Sequence, residues 1–253
     1  MIRLALAFLL LALPAFGQER IVAGLSQNQV QITATFDGSA ILIYGAIKRD
    51  APDPGGPPLA VIVTTEGPST PLTIRKKDRV AGIWLNRDSV TIDAAPSFYD
   101  VSTSMPLSQS LSETDDLRYR VTLQHLIRAV GISGEAANSE DFVAALMRIR
   151  TEQGRFRVEE GEVQLVENTL FRADVELPSD LVEGNYKVRM FLTRGGRVMD
   201  EKELTIFVRK AGLERFLYNL AQQKPLVYGL ISLAIAVIAG WAASEGFRWL
   251  RGR

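Results

Sequence analysis

Acid–base or nucleophilic catalysis needs side chains that titrate or attack near neutral pH, and this chain has few. Its 253 residues hold one histidine, His125, and no cysteine. A Ser-His-Asp device would have to be built on that single imidazole, and a zinc site without thiolates wants two or three. No P-loop, Rossmann glycine fingerprint, EF-hand loop or HExxH occurs in the sequence. The carboxylates Glu159, Glu160 and Glu162 cluster in VEEGEVQLVE. Paired carboxylates can do acid–base work, but around Gly161 they read as a solvated turn. His125 falls nearly opposite the apolar positions Leu123, Leu126 and Ile127 at ~100° per residue, which predicts a solvated imidazole. The serine-rich DVSTSMPLSQSLSET reads as a linker. The expectation is therefore no catalytic residue, no metal site, no cofactor and no enzyme, with an anchored hydrolase as the least favoured alternative.

Charge narrows the partners. Lysine plus arginine total 29 and aspartate plus glutamate total 29, so no field is available to recruit nucleic acid. One local excess stands out, RKKDR at Arg75–Arg79. It reads first as a solvated hairpin or loop, and second as a contact for anionic lipid headgroups or an acidic partner.

Two apolar segments speak to location. MIRLALAFLLLALPAFGQER has Arg3 as its positive start, Leu4 to Leu13 as apolar stretch and Pro14 before small residues, the layout of a secretory signal cleaved near Gly17. It is too short to cross a hydrocarbon core, which takes ~20 apolar residues. Pro225 to Ser244 has no charged residue, with Tyr228 and Trp241 near its ends as interface rings. That is a transmembrane helix, and behind an export signal it acts as a stop-transfer segment. The expected arrangement is a single-pass bacterial inner-membrane protein in contact with the lipid bilayer, its bulk in the periplasm and residues 245–253 in the cytoplasm. Without cysteine no lipid anchor can substitute for the helix. Gly229 and Gly240 are small positions in the span where another helix could approach.

Between these segments the period changes twice. Val30, Ile32, Ala34 and Phe36 alternate, Asp37-Gly38 is a turn dipeptide, and Ile41 to Ile47 is apolar on both faces, which predicts a hairpin. LAVIVTTEG, PLTIRKKDRVAGIWL and DSVTIDAAPSFYDVSTS add further strands. Two helical stripes follow: Tyr119, Leu123, Leu126, Ile127 and Val130 behind Ser112 and Asp115 as cap, then Phe142, Val143, Leu146 and Ile149 ending at Gly154. They predict an αα-hairpin. Phe171 to Leu177, Tyr186 to Leu192 and Leu204 to Val208 alternate again, with RGGR turning between the last two. LVEGNY sets Leu181, Gly184 and Tyr186 in the L-x-x-G-x-Y order of a tyrosine corner, in which the phenol bonds back to nearby backbone. Leu213, Phe216, Leu217 and Leu220 lie at i, i+3, i+4 and i+7, an amphipathic helix running into the span.

The predicted organisation is mainly β with a helical insert, as two immunoglobulin- or fibronectin-like sandwiches flanking an αα-hairpin. In residues: a signal at 1–17, a sandwich at 18–104, linker and αα-hairpin at 105–154, a membrane-proximal sandwich at 155–210, an amphipathic helix at 211–224, the span at 225–244 and a tail at 245–253. The amphipathic helix is expected to hold the second sandwich close to the membrane.

VAGIWLNRDSVTIDAAPSFYDVSTS, LVEGNYKVRMFLTRGGRV and VRKAGLERFLYNLAQQKPLVYGL together make the chain resemble the putative transmembrane protein family of Alphaproteobacteria. The resemblance implies an exported region with one C-terminal span and genes that lie beside those of sulfite exporter-like permeases, hence an accessory role for an anion or sulfite-type exporter. It assigns no functional residues. The function expected is a non-enzymatic accessory or binding module for a membrane partner, a permease. The alternative is an envelope sensor that binds a small ligand.

Overall fold

The computed structural model describes residues 19–33, 36–50, 55–127, 139–210 and 212–251. The expected signal at 1–17, the end of the first helical stripe at Val130 and the link between the two stripes lie outside them. The chain divides into two units, one of residues through Val30 with Asp37–Val208, the other of Gln31–Phe36 with Arg209–Arg253.

The first unit is built on strict alternation. In β10 (Leu170–Leu177), Phe171, Ala173, Val175 and Leu177 are buried and the residues between them exposed. In β3 (Ser39–Arg49), Ile41, Ile43 and Ile47 are buried. A period of two puts one face of an antiparallel sheet in the core and the other toward solvent. β3 pairs with β1 (Glu19–Leu25) on one side and β10 on the other, and β9 (Gln164–Val166) completes a four-stranded sheet in the order β1-β3-β10-β9.

A six-stranded sheet lies against it, in the order β2-β12-β11-β4-β7-β8. These strands are β2 (Gln29–Ile32), β4 (Leu59–Glu66), β7 (Tyr99–Thr103), β8 (Phe156–Glu160), β11 (Gly184–Arg194) and β12 (Arg197–Lys210). β7 and β8 run parallel. β4 is buried from Leu59 to Thr65 because both of its faces are covered. Val61 and Val63, with Val188, Met190 and Leu192 of β11, share the face turned to the four-stranded sheet. Ile62 and Phe191 share the other face and join a second cluster with Tyr99, Leu111, Val121 and Leu146. Each fully buried aliphatic side chain contributes about 1.5–3 kcal/mol, so a central strand with two buried faces anchors both layers.

This topology corrects the two-sandwich expectation. β3 of the first block pairs with β10 of the third, and β4 with β11, so residues 18–104 and 155–210 share sheets instead of forming separate sandwiches. The expected hairpin across Asp37-Gly38 is also corrected. β2 joins the six-stranded sheet while β3 joins the four-stranded one. Beside β10, β3 pairs with β1, whose ERIVAGL carries too weak an alternation to mark a strand from sequence.

The first expected helix is broken. It runs over Glu113–Tyr119, stops at Arg120 in the left-handed region (φ 53°), and resumes over Leu123–Leu126. Asp116 causes the break: its carboxylate accepts from the N–H groups of Val121 (3.0 Å) and Thr122 (2.8 Å) and from the Thr122 hydroxyl (2.7 Å). The second helix, Ser139–Glu152, forms as its stripe predicts. Arg155 N–H bonds to the Arg150 carbonyl and Gly154 N–H to that of Thr151, with Gly154 at φ 68°. This is a Schellman stop, which needs a residue free to take positive φ.

β5 (Ser69–Val80) and β6 (Ile83–Pro96) pair only with each other, as a two-stranded arm. In the second unit, Leu213–Gln223 and Pro225–Arg251 are separate helices meeting at Lys224. Pro225 opens the second, where its missing N–H costs no helix bond.

Candidate partner-binding surfaces

The corner residues come together as a structural device. Tyr186 is fully buried and its phenol donates to the Val182 carbonyl at 3.0 Å. Burial raises its pKa, which keeps it a neutral donor. Leu181 is buried beside it. A Cβ at Gly184 would lie 2.8 Å from Pro68 Cγ, so only glycine lets the two segments approach. Leu181 and Tyr186 are buried, and Gly184 is half-buried.

In the second unit the span Pro225–Ser244 is, among the described residues, the one helix long and apolar enough to cross a membrane, and none of it is buried against protein. An added Cβ at Gly229 or Gly240 would meet no atom within 4 Å, so both leave open space on the helix. In the preceding helix Leu217 is exposed and Leu220 half-buried. The side chains of Leu213 and Phe216 lie outside the described residues.

The first unit carries an apolar surface that the candidate positions missed. On the outer face of the four-stranded sheet, Val22, Tyr44, Val166 and Leu170 are 58%, 48%, 55% and 57% exposed. With Gly24 and Ala46 they line a shallow groove of about 660 Å³. The register explains their meeting: Val22 faces Ala46, Gly24 faces Tyr44, and Leu170 lies between Ala46 and Val166. The two apolar faces of Ile41 to Ile47 were the signal for it, one turned to the core and the other left outward.

A second hollow is polar and cationic. Arg118, Arg120, Lys187 and Arg189 line a cleft of about 510 Å³ with Glu66 as the opposing charge. Arg189 is fixed by donating to the carbonyls of Tyr119 (2.7 Å) and Arg120 (3.1 Å). The broken helix supplies this wall, since an unbroken one would keep both carbonyls in its own hydrogen bonds.

Buried ionic groups are structural. Glu19, at the start of β1, is gripped by Arg49 at 2.7 Å and Arg194 at 2.9 Å. Burial pushes its carboxyl up, and the two guanidinium groups outweigh that and hold it below the usual value. Asp100 lies on β7 within the six-stranded sheet, with Ser102 Oγ at 2.9 Å and Arg157 Nε at 3.3 Å. Burial dominates there and raises its pKa to about 6. His125 is not simply solvated, as its helix position suggested: its Nδ1 lies 2.8 Å from the Asp116 carboxylate. The helix break turns the imidazole back toward the cap. Among the described residues no group of three histidine or acidic side chains could hold a metal ion.

The profile of a family described as "Putative transmembrane protein (Alph_Pro_TM)" matches residues 20–249. No curated protein matches the chain. Among solved structures, the crystal structure of Spo0M, a sporulation control protein from Bacillus subtilis, aligns at 13% identity with a TM-score of 0.27. It covers 82% of this chain, which spans 56% of that one.

Proposed function

The chain belongs to this transmembrane protein family, and from that premise we propose that it is a non-enzymatic accessory module held at a membrane by one helix. Its β-body binds a membrane-protein partner beside which the helix sits. The supporting observation is the apolar outer face of the four-stranded sheet, with Val22, Tyr44, Val166 and Leu170 each about half exposed. Contiguous apolar surface of this kind marks interaction sites, and confinement to a bilayer raises the effective concentration of a membrane partner.

In this proposal the β-body lies in the periplasm, on the reading of the N-terminus as an export signal, and the tail in the cytoplasm. The resemblance to chains encoded beside sulfite exporter-like permeases makes an anion or sulfite-type exporter the partner proposed. A photo-crosslinking residue in place of Tyr44 in the full-length protein should capture that partner, whereas one in place of exposed Lys202 should not. Capture at neither position, with the protein at its native level in the membrane, would sink the reading.

The cationic cleft favours a second reading, an envelope sensor for a small anion. It predicts that sulfate or sulfite raises the melting temperature of the full-length protein, and that Arg120→Gln with Lys187→Gln abolishes the rise.

A further inference from the structure

The base of the β5–β6 arm lends Ser69, Ala94 and Pro96 to the cationic cleft, and its outer half has no part in the surfaces above. Its base is packed, with Leu72 and Ile74 resting on a core that includes Ile92. From Arg75 to Ser89 every residue is exposed. Arg75 and Lys76 still line a hollow with Asp141 and Phe142 of the helix Ser139–Glu152; beyond them, at ~3.3 Å per residue, the free ribbon extends about 13 Å from the body. Its end is a two-residue turn with Ala81 at φ 52° and Gly82 at φ 87°, the geometry that matches the twist of paired strands.

The tip is apolar and uncovered: Val80, Ile83, Trp84 and Leu85 are 44%, 65%, 65% and 50% exposed. Single exposed apolar residues are ordinary; four gathered on a ribbon that no third strand covers are not. The register places Val80, Ile83 and Leu85 on one face and Trp84 opposite Arg79 on the other. Behind the tip the stem carries Arg75, Lys76, Lys77, Arg79 and Arg87 against only Asp78 and Asp88. Asp78 is already engaged by Arg87 at 3.3 Å. Along the ribbon Val80 and Ile83 come first, then Trp84 beside Arg79, then Leu85, with the other cations behind them.

That order mirrors an anionic bilayer read outward: acyl boundary, headgroup interface, phosphates. Tryptophan favours the interface, and lysine and arginine gain from anionic headgroups within a Debye length. Beyond the hollow that Arg75 and Lys76 line with Asp141, the exposed cations Lys77, Arg79 and Arg87 stand on the free ribbon near its end, which suits a charged plane. We propose that the arm is a membrane-contacting element whose tip, Val80–Leu85, enters the headgroup layer of an anionic lipid surface. This contact is independent of the partner proposed above and would stand if that partner were never found.

The absence of cysteine makes the test clean. A nitroxide on a single Ile83→Cys is followed by power saturation in full-length protein reconstituted in phosphatidylcholine vesicles with and without phosphatidylglycerol. The label should be shielded from a water-soluble nickel chelate and accessible to oxygen in phosphatidylglycerol vesicles, and return toward its aqueous value in phosphatidylcholine alone or in high salt. Lys77→Gln with Arg79→Gln should lower the shielded-to-aqueous ratio roughly 25-fold, about fivefold per cation. Trp84→Ala should lower it with the melting temperature unchanged. A label that stays aqueous in every vesicle overturns the proposal. So does shielding that follows protein density and not phosphatidylglycerol, because it would mean contact between copies of the chain.

Discussion

Asp116 decides more than any other single side chain about the shape of the helical layer. It pairs with two backbone N–H groups, the Thr122 hydroxyl and His125, so one predicted helix becomes two and the wall of the cationic cleft forms. Removing it strands the buried Val121 N–H. Hydrogen bonds to charged groups contribute about 1.5–3 kcal/mol each, and Asp116→Ala should lose roughly 3 kcal/mol in denaturant unfolding. Tyr186→Phe removes one neutral bond and should cost about 1 kcal/mol by the same measurement. The corner was legible because L-x-x-G-x-Y is a local pattern. The role of Asp116 was not, since an aspartate inside an apolar stripe looks like any exposed helix residue until the chain beyond it turns back.

Two of the buried carboxylates, Asp100 and Glu19, give opposite pH signatures. Asp100 has its folded pKa raised to about 6, above the unfolded value of ~3.9. The folded state therefore takes up that proton first, and stability increases as pH falls from about 6 toward about 4. Glu19 is held below its usual value. Its contribution is present above the unfolded pKa of ~4.3 and is lost as pH falls through the lower folded one. The contribution of these two groups to melting temperature should accordingly peak at pH ~4, where the Asp100 gain is complete and the Glu19 loss begins. Asp100→Asn should flatten the rise and Glu19→Gln the fall.

At the scale of elements, burial separates strands that build the body from the arm that leaves it. Phe191 is fully buried on β11, and Phe191→Ala should cost about 3–5 kcal/mol. Trp84, larger but 65% exposed at the arm tip, should cost within ~0.5 kcal/mol on truncation. Equilibrium unfolding of the two variants reads the contrast directly. Sequence periodicity identified β10, β11 and β12 because Phe171, Tyr186 and Ile206 begin or continue clean alternations. RKKDR, read as a solvated hairpin or loop, lies in the β5–β6 hairpin. What periodicity could not carry was which apolar residues would be covered: Ile41 and Tyr44 look alike in the strand, yet one is buried and the other lines a groove.

At the scale of the molecule, the departure from expectation lies in pairing. Blocks separated by the helical insert were read as self-contained sandwiches because neighbours in sequence usually pair. Here β3 finds β10 and β4 finds β11 across more than a hundred residues, and no local pattern announces a partner that distant. The span announced itself, because twenty uncharged residues at Pro225–Ser244 leave a chain few places other than a bilayer. The proposal that this anchored body serves a membrane partner can be tested by in-membrane crosslinking of the tagged full-length protein at native level, followed by mass spectrometry of what co-purifies. A membrane transporter is expected in near-stoichiometric yield, lost on Tyr44→Asp. Recovery of the tagged protein alone, with Tyr44→Asp indistinguishable from the native chain, would contradict it.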